Sequence, residues 1–257
     1  MSMFFDTHAH YDDEQFDADR DAVLGAMPES GVGRILNPGC TVESSRAAVA
    51  LAERYDWVYA AVGLHPENCA GAGEAEFAAV AALAAHPKVV AIGEIGLDYY
   101  WEENPPRAFQ REVLARQMAL AEELDLPVVI HDRDAHGDCM DLVRAFPNVR
   151  GEFHCYSGSV EDAKVLLDRG WYLGFGGSLT FKNARKAPEV VQYMPLERLL
   201  LETDAPYLAP VPFRGKRNDS RYLSYVAERA AALKGLSAAE VEQAAWDNAN
   251  RFFALGD

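Results

Sequence analysis

Two histidines near the start of the chain have the spacing that a shared metal ion requires. His8 and His10 follow the short apolar run Phe4–Phe5 and stand two residues apart. Residues at i and i+2 of an extended chain project from the same side, so both imidazoles can reach one ion. The pair alone is weak evidence, since two exposed polar residues would give the same pattern.

A carboxylate that interrupts an apolar run is the second candidate. The segment Val89–Ile92 is continuously apolar, which is typical of a buried parallel strand, and Glu94 stands where that run breaks up between Gly93 and Gly96. A buried charge is costly unless it is paired or bound to a metal. An acid that faces water at a strand end is the plain alternative.

Other metal-ligand residue types also stand where apolar runs end. Five of the seven histidines in the chain and two acids share this placement, which independent chance would not produce; they are His8, His10, His65, Glu94, His131, His154 and Asp204. Taken singly, each is explained as well by a hydrogen-bonded or capping residue. Their joint placement favours a metal site.

The elements that must position these residues repeat one pattern, a short apolar strand followed by a turn and a helix-period segment. Eight strands are predicted, over residues 4–10, 34–37, 58–62, 89–94, 127–131, 151–154, 172–176 and 199–204. Helices are predicted over residues 13–27, 41–55, 74–85, 105–124, 135–145, 160–168, 188–194, 220–233 and from 237 onward.

Eight such units without a linker predict an α/β fold, a TIM-like (β/α)8 barrel formed by a single domain over residues 1–257. A doubly wound open sheet is the structural alternative, weakened because no G-x-G-x-x-G follows the first strand. In barrels of this kind the active site lies at the carboxyl ends of the strands, where the candidate residues stand.

Composition limits the function classes. The net charge is −16, from 24 basic and 40 acidic side chains, which excludes the broad basic surface of non-specific nucleic-acid binders. Four separated cysteines without a C-x-x-C pair predict reduced thiols and a cytoplasmic protein. The start Met1–Asp6 lacks signal-peptide features, and apolar runs such as Ala78–Ala85 are too short to span a bilayer. No membrane association and no obligate protein partner are predicted.

The ligand set predicts two divalent ions. Mixed imidazole and carboxylate ligands favour Zn²⁺ or Mn²⁺, with Mg²⁺ as a further option. Six ligands exceed one tetrahedral site. The predicted division is His8, His10, Glu94 and Asp204 on one ion, and Glu94, His131 and His154 on the other, with Glu94 as bridge. Two ions about 3.5–4 Å apart can share a hydroxide that attacks an ester. Asp204 is then the candidate general base, and His65 a candidate acid or substrate contact.

Several motifs resemble the signatures of the TatD family of metal-dependent hydrolases, in the amidohydrolase superfamily. They are Asp6–His10, Gly63–Pro66, Gly93–Tyr99, His131–Ala135, His154–Gly158 and Glu202–Leu208. The resemblance spans the chain and implies a TIM-like barrel, the same metal ligands and a deoxyribonuclease, in several members a 3′→5′ exonuclease. The segment Gly215–Ser220 departs from the family in lacking a proline, and Ser220 is expected to cap the next helix.

Substrate contacts are predicted from charge and aromatic character. Arg133 can bind a phosphate through two N–H groups of its guanidinium, the alternative being an ion pair with Asp132 or Asp134. The basic loop residues Lys182, Lys216 and Arg217 are candidates for a phosphate-binding patch. Tyr99 and the aromatic residues after it can stack on a base, although packing within the loop is an equal alternative.

The residues and the resemblance together therefore predict a hydrolase that cleaves phosphodiester bonds of DNA, single-stranded or at strand ends, and the resemblance implies that it acts as a 3′→5′ exonuclease. The same chemistry would also serve an amide or carboxylic-ester hydrolase, such as an aminoacyl-ester deacylase. A non-catalytic metal-binding scaffold is the third alternative, disfavoured because structural sites are closed.

Overall fold

A computed structural model describes residues 3–256 of the chain. The part of the signal-peptide prediction that concerns Met1 and Ser2 lies outside the described residues. Eight parallel strands form one sheet in the order β1 to β8. They are β1 Phe4–Asp6, β2 Val32–Pro38, β3 Val58–Val62, β4 Val89–Asp98, β5 Val128–Arg133, β6 Gly151–Phe153, β7 Tyr172–Phe175 and β8 Leu199–Leu201.

A helix follows every strand. The helices are α1 Arg20–Gly25, α2 Val42–Arg54, α3 Glu74–Ala84, α4 Arg107–Leu124, α5 His136–Ala145, α6 Val160–Asp168, α7 Lys186–Tyr193, α8 Leu223–Lys234 and, after α8, α9 Ala238–Phe252. This strict alternation with a parallel sheet in chain order confirms the predicted (β/α)8 class of fold. No helix within residues 3–256 is long and apolar enough to cross a membrane.

By its internal contacts the chain divides into two compact units. The first unit contains the residues up to Asn37 and those from Cys155 onward, and the second contains Pro38–His154. That residues 1–257 act as a single domain stays a prediction.

In the second unit, the strands β3 to β6 pair in parallel and helix α4 fixes the ends of two of them. All ten residues of β4 are buried, as its continuous apolar start predicts. The buried Gln117 of α4 hydrogen-bonds both the N–H and the C=O of Leu64, at 2.8 and 3.0 Å. Gln110 does the same for Asp98, at 2.9 Å each. These amides satisfy the backbone of two strand ends that carry candidate residues.

In the first unit, β1 pairs with β2 and β7 with β8, and the segments after β1 and β8 are joined directly. The N–H of Thr7 donates to Leu201 at 3.1 Å, and that of Asp204 donates to His8 at 2.8 Å. The buried carboxylate of Asp6 accepts the N–H and hydroxyl of Thr203, at 2.9 and 2.6 Å. Burial raises the pKa of Asp6 to about 7, against the opposing effect of its hydrogen bonds.

The predicted helix over residues 13–27 is wrong in extent. Within these residues only Glu14–Phe16, as a single 3-10 turn, and α1 are helical. The side chain of Asp13 accepts the N–H of Gln15, and Arg20 donates to the carbonyls of Tyr11, Asp12 and Asp13. Such side-chain bonds offer the backbone an alternative to a continuous helix.

Two predicted boundaries near the other end of the chain also change. Strand β8 stops at Leu201, short of the predicted end at Asp204, which itself adopts a left-handed conformation with φ of 57°. Ser220 does not cap a helix. Asp219 is the N-cap of the 3-10 turn Ser220–Tyr222, since the Ser220 hydroxyl is already bonded to Tyr11 at 2.8 Å.

Candidate metal centre

The first unit brings together three of the predicted ligands, His8, His10 and Asp204, which we call the first cluster. The two histidines lie just beyond β1, and Asp204 lies just beyond β8. The backbone bonds between these segments hold them in register, with His10 N–H donating to Ala205 at 2.7 Å. His8 is fully buried, whereas His10 and Asp204 are accessible at 13% and 16% of their side chains. The cluster is therefore open on one side.

The nitrogen and oxygen atoms of the first cluster converge at distances that suit a single ion. Nε2 of His8 lies 3.1 Å from Nε2 of His10. Oδ1 of Asp204 lies 3.9 Å from the first nitrogen and 3.7 Å from the second. Ligand atoms about 2.0–2.2 Å from one ion stand at separations of this order. Two neutral imidazoles and a carboxylate are also the donors that a divalent transition metal prefers.

The second unit brings together Glu94, His65, His131 and His154, which we call the second cluster. Oε1 of Glu94 is its centre, 3.0 Å from Nδ1 of His131, 3.2 Å from Nε2 of His154 and 3.5 Å from Nε2 of His65. Glu94 is buried at 3% exposure, so its charge requires these partners or a cation. Its N–H donates to Gly39 in the loop after β2, at 2.9 Å.

His131 has a second carboxylate partner that the sequence analysis missed. Its Nε2 lies 3.1 Å from Oδ2 of Asp98, which is buried at the end of β4. Burial alone would lower the pKa of His131, but hydrogen bonds to Asp98 and Glu94 outweigh it and raise the pKa to about 9. Burial opposes ionisation of Asp98 as well, yet the bond from His131 and the N–H of Tyr100 keep its pKa below the usual range.

Asp98 thus orients the imidazole ring of His131 from the side opposite Glu94. A carboxylate on the far nitrogen of a ligating histidine fixes the tautomer and the ring orientation. The signal was present in the sequence, since Asp98 belongs to the motif Gly93–Tyr99, but only the pairing of β4 with β5 places it beside His131.

Two further polar side chains near the clusters were not predicted. Sγ of Cys40, in the loop after β2, lies 3.9 Å from Oε2 of Glu94. Glu202 is buried in the first unit and accepts the N–H of Cys155 at 2.6 Å, so it organises the loop after β6. Glu202 directly follows the apolar run Leu199–Leu201, which is the signal that identified the other candidates, whereas Cys40 is separated from Ile35 and Leu36 by three residues.

His65 has one ring nitrogen committed to its own loop. Its Nδ1 accepts the N–H of Glu67 at 3.2 Å, which assigns a proton to Nε2 in the neutral ring. The ring also packs edge-on against His131, with centroids 4.4 Å apart. His65 therefore presents an N–H donor within the second cluster.

The predicted substrate residues of the second unit differ in availability. Arg133 forms no ion pair with an acid among the described residues, and its guanidinium lies over the rings of Tyr100 and Trp101, 3.9 and 5.3 Å from the centroids. Tyr99 is engaged, because its hydroxyl donates to Asp138 at 2.7 Å and Arg107 covers its ring at 4.5 Å. A substrate contact by Tyr99 stays a prediction that these contacts do not support.

The basic loop residues lie in the first unit, two of them around a cavity of about 350 Å³. Lys216 and Arg217 line this cavity with Arg214, Phe181 and Tyr207. Arg217 already forms a paired hydrogen bond with Asp19, at 2.8 and 2.7 Å. Within residues 3–256, Lys182 and Lys216 have no acidic partner at salt-bridge distance. Both lysines, and Arg214 with them, are therefore free of an acidic partner among the described residues.

Comparison with known proteins gives the same family along nearly the whole chain. The family described as TatD related DNase matches residues 5–254. The chain is 44% identical, over 98% of its length and 100% of the relative's, to the uncharacterized metal-dependent hydrolase YabD of Bacillus subtilis. It is 35% identical to the 3′-5′ ssDNA/RNA exonuclease TatD of Cronobacter sakazakii, over 97% of each chain. The crystal structure of the TatD homologue YjjV from Escherichia coli is similar with a TM-score of 0.92 and 33% identity, over 98% of each chain.

Proposed function

The chain belongs to the TatD family of metal-dependent hydrolases, and from this premise we propose that it is a 3′→5′ exonuclease that hydrolyses phosphodiester bonds of single-stranded nucleic acid. The observation that carries the proposal is the convergence of histidine and carboxylate atoms in both clusters at 3.0–3.9 Å. The name of the Cronobacter sakazakii relative supports the choice of substrate.

We propose one divalent ion for each cluster. His8, His10 and Asp204 supply three ligand atoms in the first. Glu94, His131 and His154 are the proposed ligands in the second, since a nitrogen of each histidine lies 3.0 or 3.2 Å from Oε1 of Glu94. That Glu94 also binds the first ion stays a prediction. The donor set fits Zn²⁺ and Mn²⁺, with Mg²⁺ as a further option. Such ions supply Lewis acidity and make water a nucleophile near neutral pH.

Side chains of the protein then transfer protons and position the phosphate ester. Asp204 is partly open to water, so its carboxylate can take a proton from the attacking water as the general base. The Nε2–H of His65 can donate to the leaving oxygen, because Nδ1 is fixed as an acceptor by Glu67. Asp98 holds the His131 ring in place throughout.

Local cationic side chains allow a protein of net charge −16 to bind a polyanion. Lys182 and Lys216 in the loops after β7 and β8, and Arg133 at the end of β5, are the proposed phosphate contacts. We also keep the cytoplasm as the proposed compartment, in agreement with four free thiols in the structure.

The test is a time course on single-stranded DNA labelled at its 5′ end, with metal-stripped protein and added Mg²⁺, Mn²⁺ or Zn²⁺. A ladder that shortens from the 3′ end and depends on the ion is expected. Asp204→Asn should abolish it. Asp125→Asn is the matched control, because Asp125 has the same left-handed backbone, with φ of 53° against 57°, and is exposed at the end of α4.

Either of two results would contradict the proposal. If Asp204→Asn leaves the rate of cleavage unchanged, Asp204 is not the general base. No cleavage with any ion, while the protein still binds metal, would exclude the nuclease activity and direct attention to amides and carboxylic esters.

A further inference from the structure

Two aromatic side chains beside the second cluster are more exposed than their size favours. Tyr100 is 50% and Trp101 43% accessible, and their rings meet edge to face with centroids 4.6 Å apart. Large aromatic side chains are usually withdrawn from water, so exposed ones next to a catalytic cluster indicate a binding surface. Within the described residues neither ring forms a hydrogen bond or packs into the core.

The pair is fastened to the cluster through Asp98. The N–H of Tyr100 donates to Oδ1 of Asp98 at 2.9 Å, while Oδ2 of the same carboxylate holds His131. The C=O of Asp98 accepts from Asn104 at 3.2 Å and from Gln110 at 2.9 Å, which secures both ends of the loop. The position of the rings is therefore tied to the position of a metal ligand.

Arg133 completes the surface from the neighbouring strand. It is paired in register with Asp98, and its C=O accepts the N–H of Tyr99 at 2.9 Å. Its guanidinium carbon lies 3.9 and 5.3 Å from the two ring centroids. No acid among residues 3–256 lies at ion-pair distance from Arg133, although its charge opposes the rise that burial causes in the pKa of Glu67. A cation over aromatic rings strengthens stacking with an electron-rich ligand.

We propose that Tyr100, Trp101 and Arg133 form a stacking platform for one unpaired nucleobase of the substrate. The proposal rests on the proposed nuclease function and deepens it, because a platform of this kind admits a base only when it is free of its partner strand. Glu102 and Glu103 follow directly in the sequence and are exposed, so a phosphate is disfavoured there and the neutral base is the part that fits.

The experiment combines protein variants with substrate variants. Binding of a short fluorescein-labelled single-stranded DNA is measured by anisotropy in EDTA, so that no hydrolysis occurs. A series of oligonucleotides carries one abasic residue at successive positions from the 3′ end. We expect wild-type binding to weaken by roughly 5- to 100-fold at one position in the series. Trp101→Ala should weaken binding of the normal strand similarly and remove the dependence on that base.

Matched variants separate stacking from loop packing. Trp101→Phe keeps a ring and should restore most of the dependence, whereas Tyr193→Ala, which removes a ring that is 49% exposed on α7, should leave it unchanged. Thermal unfolding and bound metal are measured for every variant, so a folding defect is recognised. If Trp101→Ala is misfolded, Tyr100→Ala provides the same comparison.

The outcomes distinguish this inference from the proposed function. Equal loss on normal and abasic strands in Trp101→Ala, or no abasic effect in the wild type, would overturn the platform even if hydrolysis occurs. A base-dependent loss without hydrolysis in the wild type would support the platform and contradict the nuclease activity.

Discussion

Replacing Asp98 by Asn separates two effects that this carboxylate has on His131. With the pKa of His131 raised to about 9, an ion must displace a proton from the ring below that pH. Each pH unit below the pKa of His131 lowers the affinity of the second cluster for its ion tenfold. At pH 7 the affinity is therefore about 100-fold lower, a loss of roughly 2.7 kcal/mol. Affinity for the ion in the second cluster should therefore rise with pH until about 9.

In Asp98→Asn the ring loses a charge-assisted hydrogen bond, worth roughly 1.5–3 kcal/mol, which lowers the pKa of His131 by about 1–2. The proton is then easily displaced at pH 7. Above pH 9 only the lost orientation remains, and partners of this kind contribute about 10- to 100-fold to metal affinity. At pH 9.5 the wild type should thus bind the second-cluster ion about 10- to 100-fold more tightly than Asp98→Asn does. At pH 7 this ratio of affinities should be smaller by at least about tenfold.

The assay is competition for Zn²⁺ against a fluorescent chelator between pH 6.5 and 9.5, fitted with two dissociation constants. The ion of the first cluster is the internal reference. Titrating groups that do not contact Asp98 cancel in the ratio of the two proteins, and Glu67, whose pKa burial and Asp98 both raise, is replaced by Gln in both. Asp134→Asn is the control, because Asp134 is exposed with φ of 54°, a conformation that Asn tolerates. An affinity ratio that is constant with pH would refute the proton argument, and a ratio near one at pH 9.5 would refute the positioning role.

Two further changes test other parts of the site. His131→Ala should remove one of two bound ions and lower turnover at least about 100-fold, more than the loss of an outer partner costs, with an unchanged circular dichroism spectrum; unaltered activity would refute the ligand assignment. Gly96→Ala should destabilise the protein by roughly 1–3 kcal/mol or more, because a Cβ there would lie 1.9 Å from the carbonyl oxygen of His131 at a φ of 153°. Gly25→Ala, with no atom within 4 Å of the added Cβ, should leave the urea midpoint unchanged or slightly higher, and equal effects of both changes would contradict the packing argument.

Elements set by local signals were predictable from the sequence. Strand β3 and helix α6 have the predicted bounds, and Thr41 and Ser237 cap α2 and α9 with capping boxes. Alternating strands and helices also imply the parallel order, since a crossover helix must separate parallel neighbours. The same pattern predicted the candidates that lie just beyond their strands, such as His8, His154 and Asp204. The predicted ends of β4 at Glu94 and of β5 at His131 are wrong, because these strands stay paired with each other as far as Asp98 and Arg133.

Features that depend on distant partners were not predictable. Arg217 looked like a free phosphate contact, yet it pairs with Asp19 from far along the chain. Ser220 looked like a cap, but its hydroxyl bonds Tyr11. The role of Asp98 depends on the register of β4 against β5, which sets Gly96 opposite His131 and so brings Asp98 within reach of that ring, and neither composition nor periodicity specifies this register.

The division of the ligands between a continuous segment and a discontinuous one has a consequence for synthesis on the ribosome. All members of the second cluster belong to Pro38–His154, whereas the first cluster needs both the start of the chain and Asp204. Even the hydrogen bond that joins its supporting segments, from Thr203 to Asp6, spans 197 positions. At elongation rates of about 5–20 residues per second, Asp204 is added roughly 3–10 s after His154. The nascent chain therefore carries all side chains of the second cluster while the first cluster still lacks its carboxylate.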